Sequence, residues 1–188
     1  MTFQMIQKVR FAGWLTDAIM AQMVLTGGGR EMSVRFIPIP SEDVIGWQAG
    51  GVDSYGLPAK QKISDGDGAP CRHCLENIGK GDPYLVLAHR PFSGLHAYAE
   101  TGPSFVHAAA CRRADFGDAL PAIFNSASYI LRGYDDDETI VYGTGGVVDR
   151  ARIIDRAETI LENPAVAFIH ARSAQNNCFH CRIERAGI

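Results

Sequence analysis

The segment Cys71-Arg-His-Cys74 is where residue types and spacing bear most directly on chemistry. Two residues between thiols let both sulfurs of a tight knuckle bind one tetrahedral zinc. His107-Ala-Ala-Ala-Cys111 offers the other half of a site. On a helix beginning near His107, positions four apart share a face, so a ring nitrogen and a thiolate reach the same ion. Cys71, Cys74, His107 and Cys111 then form a closed site of three cysteines and one histidine. Four protein ligands leave no position for water or substrate, which makes such a zinc structural. The plainer reading is that these cysteines are packed core. A thiol redox role for Cys71 and Cys74 is a further reading; it needs a depressed thiolate pKa near a helix start, to which Leu75-Glu76-Asn77 lends little.

The pair Cys178-Phe-His-Cys181 has the same spacing but runs on as Arg-Ile-Glu-Arg in strand-like alternation. Residues three apart on a strand point to opposite faces. Cys181 is therefore expected in the core with Phe179 and Ile183. Cys178 is expected on the polar face with His180, Arg182 and Glu184, unless a turn or bulge gathers both thiols around a metal. In a strand expected over 166–173, Val166, Phe168, His170 and Arg172 share one face. An imidazole beside a guanidinium can hold a carboxylate or phosphate, and Tyr134 and Glu100 are expected as further lining of that pocket. An enzyme or small-anion binder built on His170 and Arg172 is thus the alternative to a structural zinc protein; the bland counterpart is a hydrogen-bonded structural histidine. Gly143 and Gly145 fit two glycines of a phosphate-binding turn, but the third position is Val148 and no Walker lysine follows, so a plain turn is expected. No Ser-His-Asp order or paired-carboxylate spacing stands out, and the catalytic residues, if any, are unassigned.

The elements that must position these residues follow from periodicity and punctuation. Alternation at 33–40, confined by Pro38 and Pro40, predicts an edge strand, and Ser41-Glu-Asp predicts a short helix through Trp47. Residues 49–70 read as a loop, 84–89 as a central strand, and 104–107 as a strand passing into a helix at 108–113. The acidic turn Asp135-Asp-Asp-Glu138 between 128–134 and 139–142 predicts a hairpin. Val147, Ala151, Ile154, Ala157 and Leu161 predict the one long helix, 147–162, ended by Asn163-Pro164. Strands are expected at 166–173 and 178–184. Strands outnumber helices and adjoin in sequence, so the fold class is α+β: a mixed, largely antiparallel sheet with one long helix and short helices.

The chain has 188 residues, 46% hydrophobic and 21% charged, an ordinary globular balance. One α+β domain is expected over 32–188. Residues 1–31, Met-rich and closed by Gly27-Gly28-Gly29, are expected to be an N-terminal extension, with Met32 as an alternative start. The net charge of −3 argues against nucleic acid or an acidic membrane surface as partner. No run of 18 apolar residues is present, so no membrane span is expected. The stretch 11–26 is interrupted by Asp17 and Gln22 and makes a poor signal peptide. An odd number of cysteines, 5, suits reduced thiols or metal ligands in the cytoplasm. Zinc (Zn) is the one cofactor expected.

Four blocks resemble the bacterial family called domain of unknown function 1203: Pro70-Cys-Arg-His-Cys-Leu75, Tyr98-Ala-Glu-Thr-Gly-Pro-Ser-Phe-Val-His107, Leu131-Arg-Gly-Tyr134 and Val166-Ala-Phe-Ile-His-Ala-Arg-Ser-Ala174. The resemblance covers about residues 33–185 and leaves the first 31 outside. It implies no activity. It also implies that zinc is a subfamily trait, because the family pattern centres on Cys71-Arg72 and Gly102-Pro103-x-Phe105 rather than on Cys74 and His107.

Overall fold

The structure, a computed structural model, describes residues 34–115 and 119–187. The expected extension over 1–31 and the alternative start at Met32 lie outside these residues. In chain order the elements are β1 (Val34–Ile37), α1 (Ser41–Gln48), β2 (Lys60–Ile63), β3 (Pro83–His89), β4 (Gly102–His107), β5 (Ser128–Tyr134), β6 (Gly146–Asp149), a 3-10 turn (Arg150–Arg152), α2 (Ile153–Leu161), β7 (Phe168–Ser173) and β8 (Phe179–Arg185).

They build two antiparallel sheets with few helices, an α+β arrangement. The larger sheet has the order β1-β8-β7-β5-β6 and the smaller β2-β3-β4. Ile153, Ala157, Ile160 and Leu161 of α2 pack on the larger sheet with Leu131, Ile169, Cys181 and Ile183. A second core joins Val44 of α1, Leu85 and Leu87 of β3, Val106 of β4 and Phe179 of β8 to the loop residues Cys71 and Ile78. That second core carries the chemistry.

Several expectations need correction. The helix expected at 147–162 begins only at the 3-10 turn of 150–152, because Val147 and Val148 are β-branched and pair with Ile130 and Tyr129 of β5 as strand β6. Val147 and Ala151, assigned to the buried helix face, are exposed. The segment 139–142 is no strand; its backbone pairs with β5 through the single bridge of Ile140 to Tyr134. The glycines at 143–146 lead into β6 rather than a helix, and Thr144 turns inward to accept the Gly133 N–H at 3.0 Å. The loop of 49–70 contains the edge strand β2, whose residues are all exposed and so leave no apolar alternation to read.

Among the described residues no helix directly follows β4. Gln48 at the end of α1 donates to the carbonyls of His107 (2.9 Å) and Ala109 (2.8 Å), the acceptors that a helical turn would have used. Residues 108–115 therefore run as an irregular segment.

Candidate metal centre

Cys71 and Cys74 lie in a tight loop between Pro70 and Asn77, which bridge each other. Inside it the Cys71 N–H bonds Glu76 O at 2.9 Å and the Leu75 N–H bonds Cys71 O at 3.0 Å. Leu75, directly after the second cysteine, sits in the left-handed region at φ 55°, a conformation that favours glycine. Its side chain is 3% exposed in the larger core, and that burial offsets the backbone cost. The reversed chain points both thiols to one side, where His107, last in β4, and Cys111 meet them.

The ligand atoms of Cys71, Cys74, His107 and Cys111 all lie within 4.8 Å of one another. Cys71 Sγ is 3.9 Å from Cys111 Sγ, and Cys74 Sγ is 3.6 Å from His107 Nδ1. A zinc tetrahedron with Zn–S near 2.3 Å and Zn–N near 2.0–2.1 Å has S···S edges of about 3.8 Å and S···N edges of about 3.6 Å. The residues present therefore fit a zinc ion. A disulfide needs its sulfurs at about 2.05 Å, and all five cysteines are free.

The backbone prepares the site for negative charge. The Cys71 thiol is held down at about 4 by the hydrogen bond from Cys74 and, against burial, by the N–H groups of Cys74, His73 and His107. Cys74 is pushed up as the donor of that pair, and burial with the nearby Cys71 charge raises Cys111 to about 11. A metal bound here would displace the protons that Cys74 and Cys111 keep. The redox reading loses support here, since Cys71 is 0% exposed and a reactive thiolate must also be reachable.

Two residues inside the knuckle support it, and the spacing argument missed both. His73 Nδ1 lies 3.1 Å from Cys111 Sγ while its Nε2 meets Ser41 Oγ at 2.9 Å. Arg72, 2% exposed, donates to Phe179 O (2.9 Å) and Pro70 O (2.6 Å) and stacks 5.0 Å over the Phe105 ring. Burial lowers its pKa only to about 10, so a full positive charge stands beside the Cys71 thiolate at neutral pH. The signal was the pair of polar side chains enclosed between the two cysteines.

Cys178 and Cys181 stand apart from this group. Cys181 is fully buried in the larger core, and Cys178, ahead of β8, lies 3.6 Å from Asn176 O. His180, expected on the polar face, is instead buried against the Phe124 and Tyr129 rings at 5.8 and 5.1 Å. The register of β7 and β8 shifts between Ala171 and Arg172, and such a bulge inverts the parity on which the expectation rested.

β7 itself runs regularly beside β5, so His170 and Arg172 keep one face, but they make different contacts. Arg172 Nε donates to Asn177 O (3.2 Å) and Oδ1 (3.0 Å), and its Nη1 forms an ion pair with Glu100 at 2.7 Å. Glu100 also accepts from Arg132 at 3.2 Å, and Arg132 reaches the Tyr134 hydroxyl at 3.4 Å. Arg172, Glu100 and Tyr134 therefore belong to one structural network rather than to an open pocket. His170 is outside it, ringed by Phe92, Tyr134, Phe168 and Phe179 at 4.9–5.0 Å, and lines a different cleft.

Among the described residues no helix is long and apolar enough to cross a membrane. No curated protein and no solved structure matches the chain. The family model described as protein of unknown function (DUF1203) matches residues 68–185, a span that includes all four gathered residues and the Arg72 and His73 that brace them, and the chain belongs to that family.

Proposed function

We propose that Cys71, Cys74, His107 and Cys111 hold one structural zinc ion in a protein of the reducing cytoplasm, within a single domain formed by residues 32–188. The observation that carries this reading is the agreement of the 3.9 Å and 3.6 Å separations with the edges of a zinc tetrahedron. Three thiolates and an imidazole complete that tetrahedron from protein alone, so the ion's work is to hold chain segments together and not to activate water. The segments are the knuckle, the end of β4 and the irregular run after it.

Metal content tests the reading directly. Protein purified under reducing conditions without chelator should contain one zinc per chain, and Cys74→Ala should lose it and melt about 10 °C or more lower, since a structural zinc contributes folding free energy outright. Metal-free wild-type protein with an unchanged melting temperature in added zinc would return the four residues to core packing.

A further inference from the structure

A cleft of about 380 Å³ opens where Ile37–Pro40, the stretch from His89 to Ser93 and strands β7 and β8 meet. Its volume is that of a small-molecule site. His170 on its lining is 0% exposed, and neither ring nitrogen has a hydrogen-bond partner among the described residues. Arg90 and Arg113 line the same cleft, each with a buried Nε that has no partner among those residues. Arg113 makes one bond, to Pro38 O at 3.3 Å. Unsatisfied buried polar groups cost free energy, and here the three residues that carry them line one cavity.

The acids of the cleft are largely engaged elsewhere. Glu184 is paired with Arg35 (2.7 Å) and Arg182 (2.6 Å), while Glu138 takes the Ser93 N–H and hydroxyl and lies 3.1 Å from His96. Counting Arg35 through its pair with Glu184, four guanidiniums (Arg35, Arg90, Arg113 and Arg182) stand against three carboxylates (Asp43, Glu138 and Glu184), an excess of one positive charge. Ile39, Phe92 and Phe179 supply apolar wall to the same cleft.

We propose that this cleft binds a small monocarboxylate with an apolar body, its carboxylate held by Arg90 and Arg113, its body on Ile39, Phe92 and Phe179, and a polar group beside His170. A guanidinium fork matches a carboxylate in geometry as well as charge. Burial, with Arg172 and Arg182 adding to it, holds His170 neutral, so the ring offers one donor and one acceptor and adds no second charge. A phosphate dianion would bring one charge too many against Asp43. The site shares no ligand with the metal centre.

Benzoate, hexanoate, benzamide and inorganic phosphate, titrated into the full-length protein as purified and followed by amide NMR and calorimetry, test the proposal. Benzoate is expected to bind one to one and shift the amides of Phe92, His170 and Phe179, with benzamide at least about tenfold weaker. Arg90→Gln should weaken benzoate by about tenfold or more while leaving the melting temperature within about 2 °C, and Arg113→Gln makes the same comparison should Arg90→Gln not fold. The proposal is overturned by the absence of a saturable shift with either carboxylate at about 20 mM, by phosphate binding more tightly than both, or by carboxylate binding that neither arginine variant weakens.

Discussion

His73 is the residue on which the quality of the proposed metal centre turns. Its Nδ1 lies 3.1 Å from Cys111 Sγ, and Ser41 at the start of α1 holds the opposite nitrogen at 2.9 Å. A donor aimed at a ligating sulfur fixes its direction and spreads its charge, and losing such a partner generally costs 10–100-fold in metal affinity. His73→Phe keeps the bulk of the ring and removes both bonds. It should bind zinc about 10–100-fold more weakly, measured by competition with a chromophoric chelator, while stability in saturating zinc stays within about 1 kcal/mol of wild type. An unchanged affinity would reduce His73 to packing. The four gathered residues were legible in the sequence because thiol and imidazole chemistry demands those types at short spacing whatever backbone carries them. The helix invoked to bring His107 and Cys111 together does not form, and the irregular segment after β4 places them instead. His73 was not legible, since only its neighbours after folding distinguish it from any buried histidine.

At the scale of elements, the acidic turn after β5 is a clamp rather than half of a hairpin. Glu138, itself in the left-handed region at φ 60°, reaches across to the loop after β3, takes the Ser93 N–H at 2.9 Å and lies 3.1 Å from His96 Nε2. Burial pushes its carboxyl up, but the Ser93 N–H and hydroxyl and the His96 imidazole outweigh that and hold it below the ordinary glutamate value. A carboxyl depressed on folding adds stability that is fully present above its unfolded-state pKa and lost as pH falls through the folded-state value. Glu138→Gln should therefore be less stable than wild type by about 1 kcal/mol near neutral pH, in urea denaturation, with the gap closing below the carboxylate range. A gap that stays constant with pH would mean that the charge has no part in the clamp. The strands of the larger sheet were readable because apolar residues of Ser128–Tyr134 and Phe168–Ser173 have nowhere to go but its two faces. Strand β6 was not, because two valines at helical spacing from Ala151 satisfy either period until β5 pairs with them. The bulge opposite Ala171 and Arg172 leaves no mark in residue types at all, and it reassigned His180.

Across the whole molecule, the knuckle joins the two sheets from its inner residues while its thiols face the metal centre. Arg72 donates to Phe179 O of β8 in the larger sheet, and the Arg72 N–H bonds Phe105 O of β4 in the smaller one. Leu75 reaches the larger core, while Cys71 and Ile78 fill the second. Metal bound there would hold one loop whose side chains are shared between both cores. The larger sheet has in addition its own cover in α2, packed on it through Ile153, Ala157 and Ile160, and owes that part of its core to no ligand of the site. Removing zinc with a chelator under reducing conditions should then act unevenly. Hydrogen exchange is expected to accelerate over 69–78 and 102–115, with local opening easier by about 2–3 kcal/mol, while 128–134 and 153–173 keep their protection. Uniform loss of protection would mean that the ion supports folding of the entire chain, as in small domains that are unfolded without metal. No change anywhere would mean that the second core holds the knuckle without help, since a structural ion that can be withdrawn without loosening the segments it ligates supports nothing.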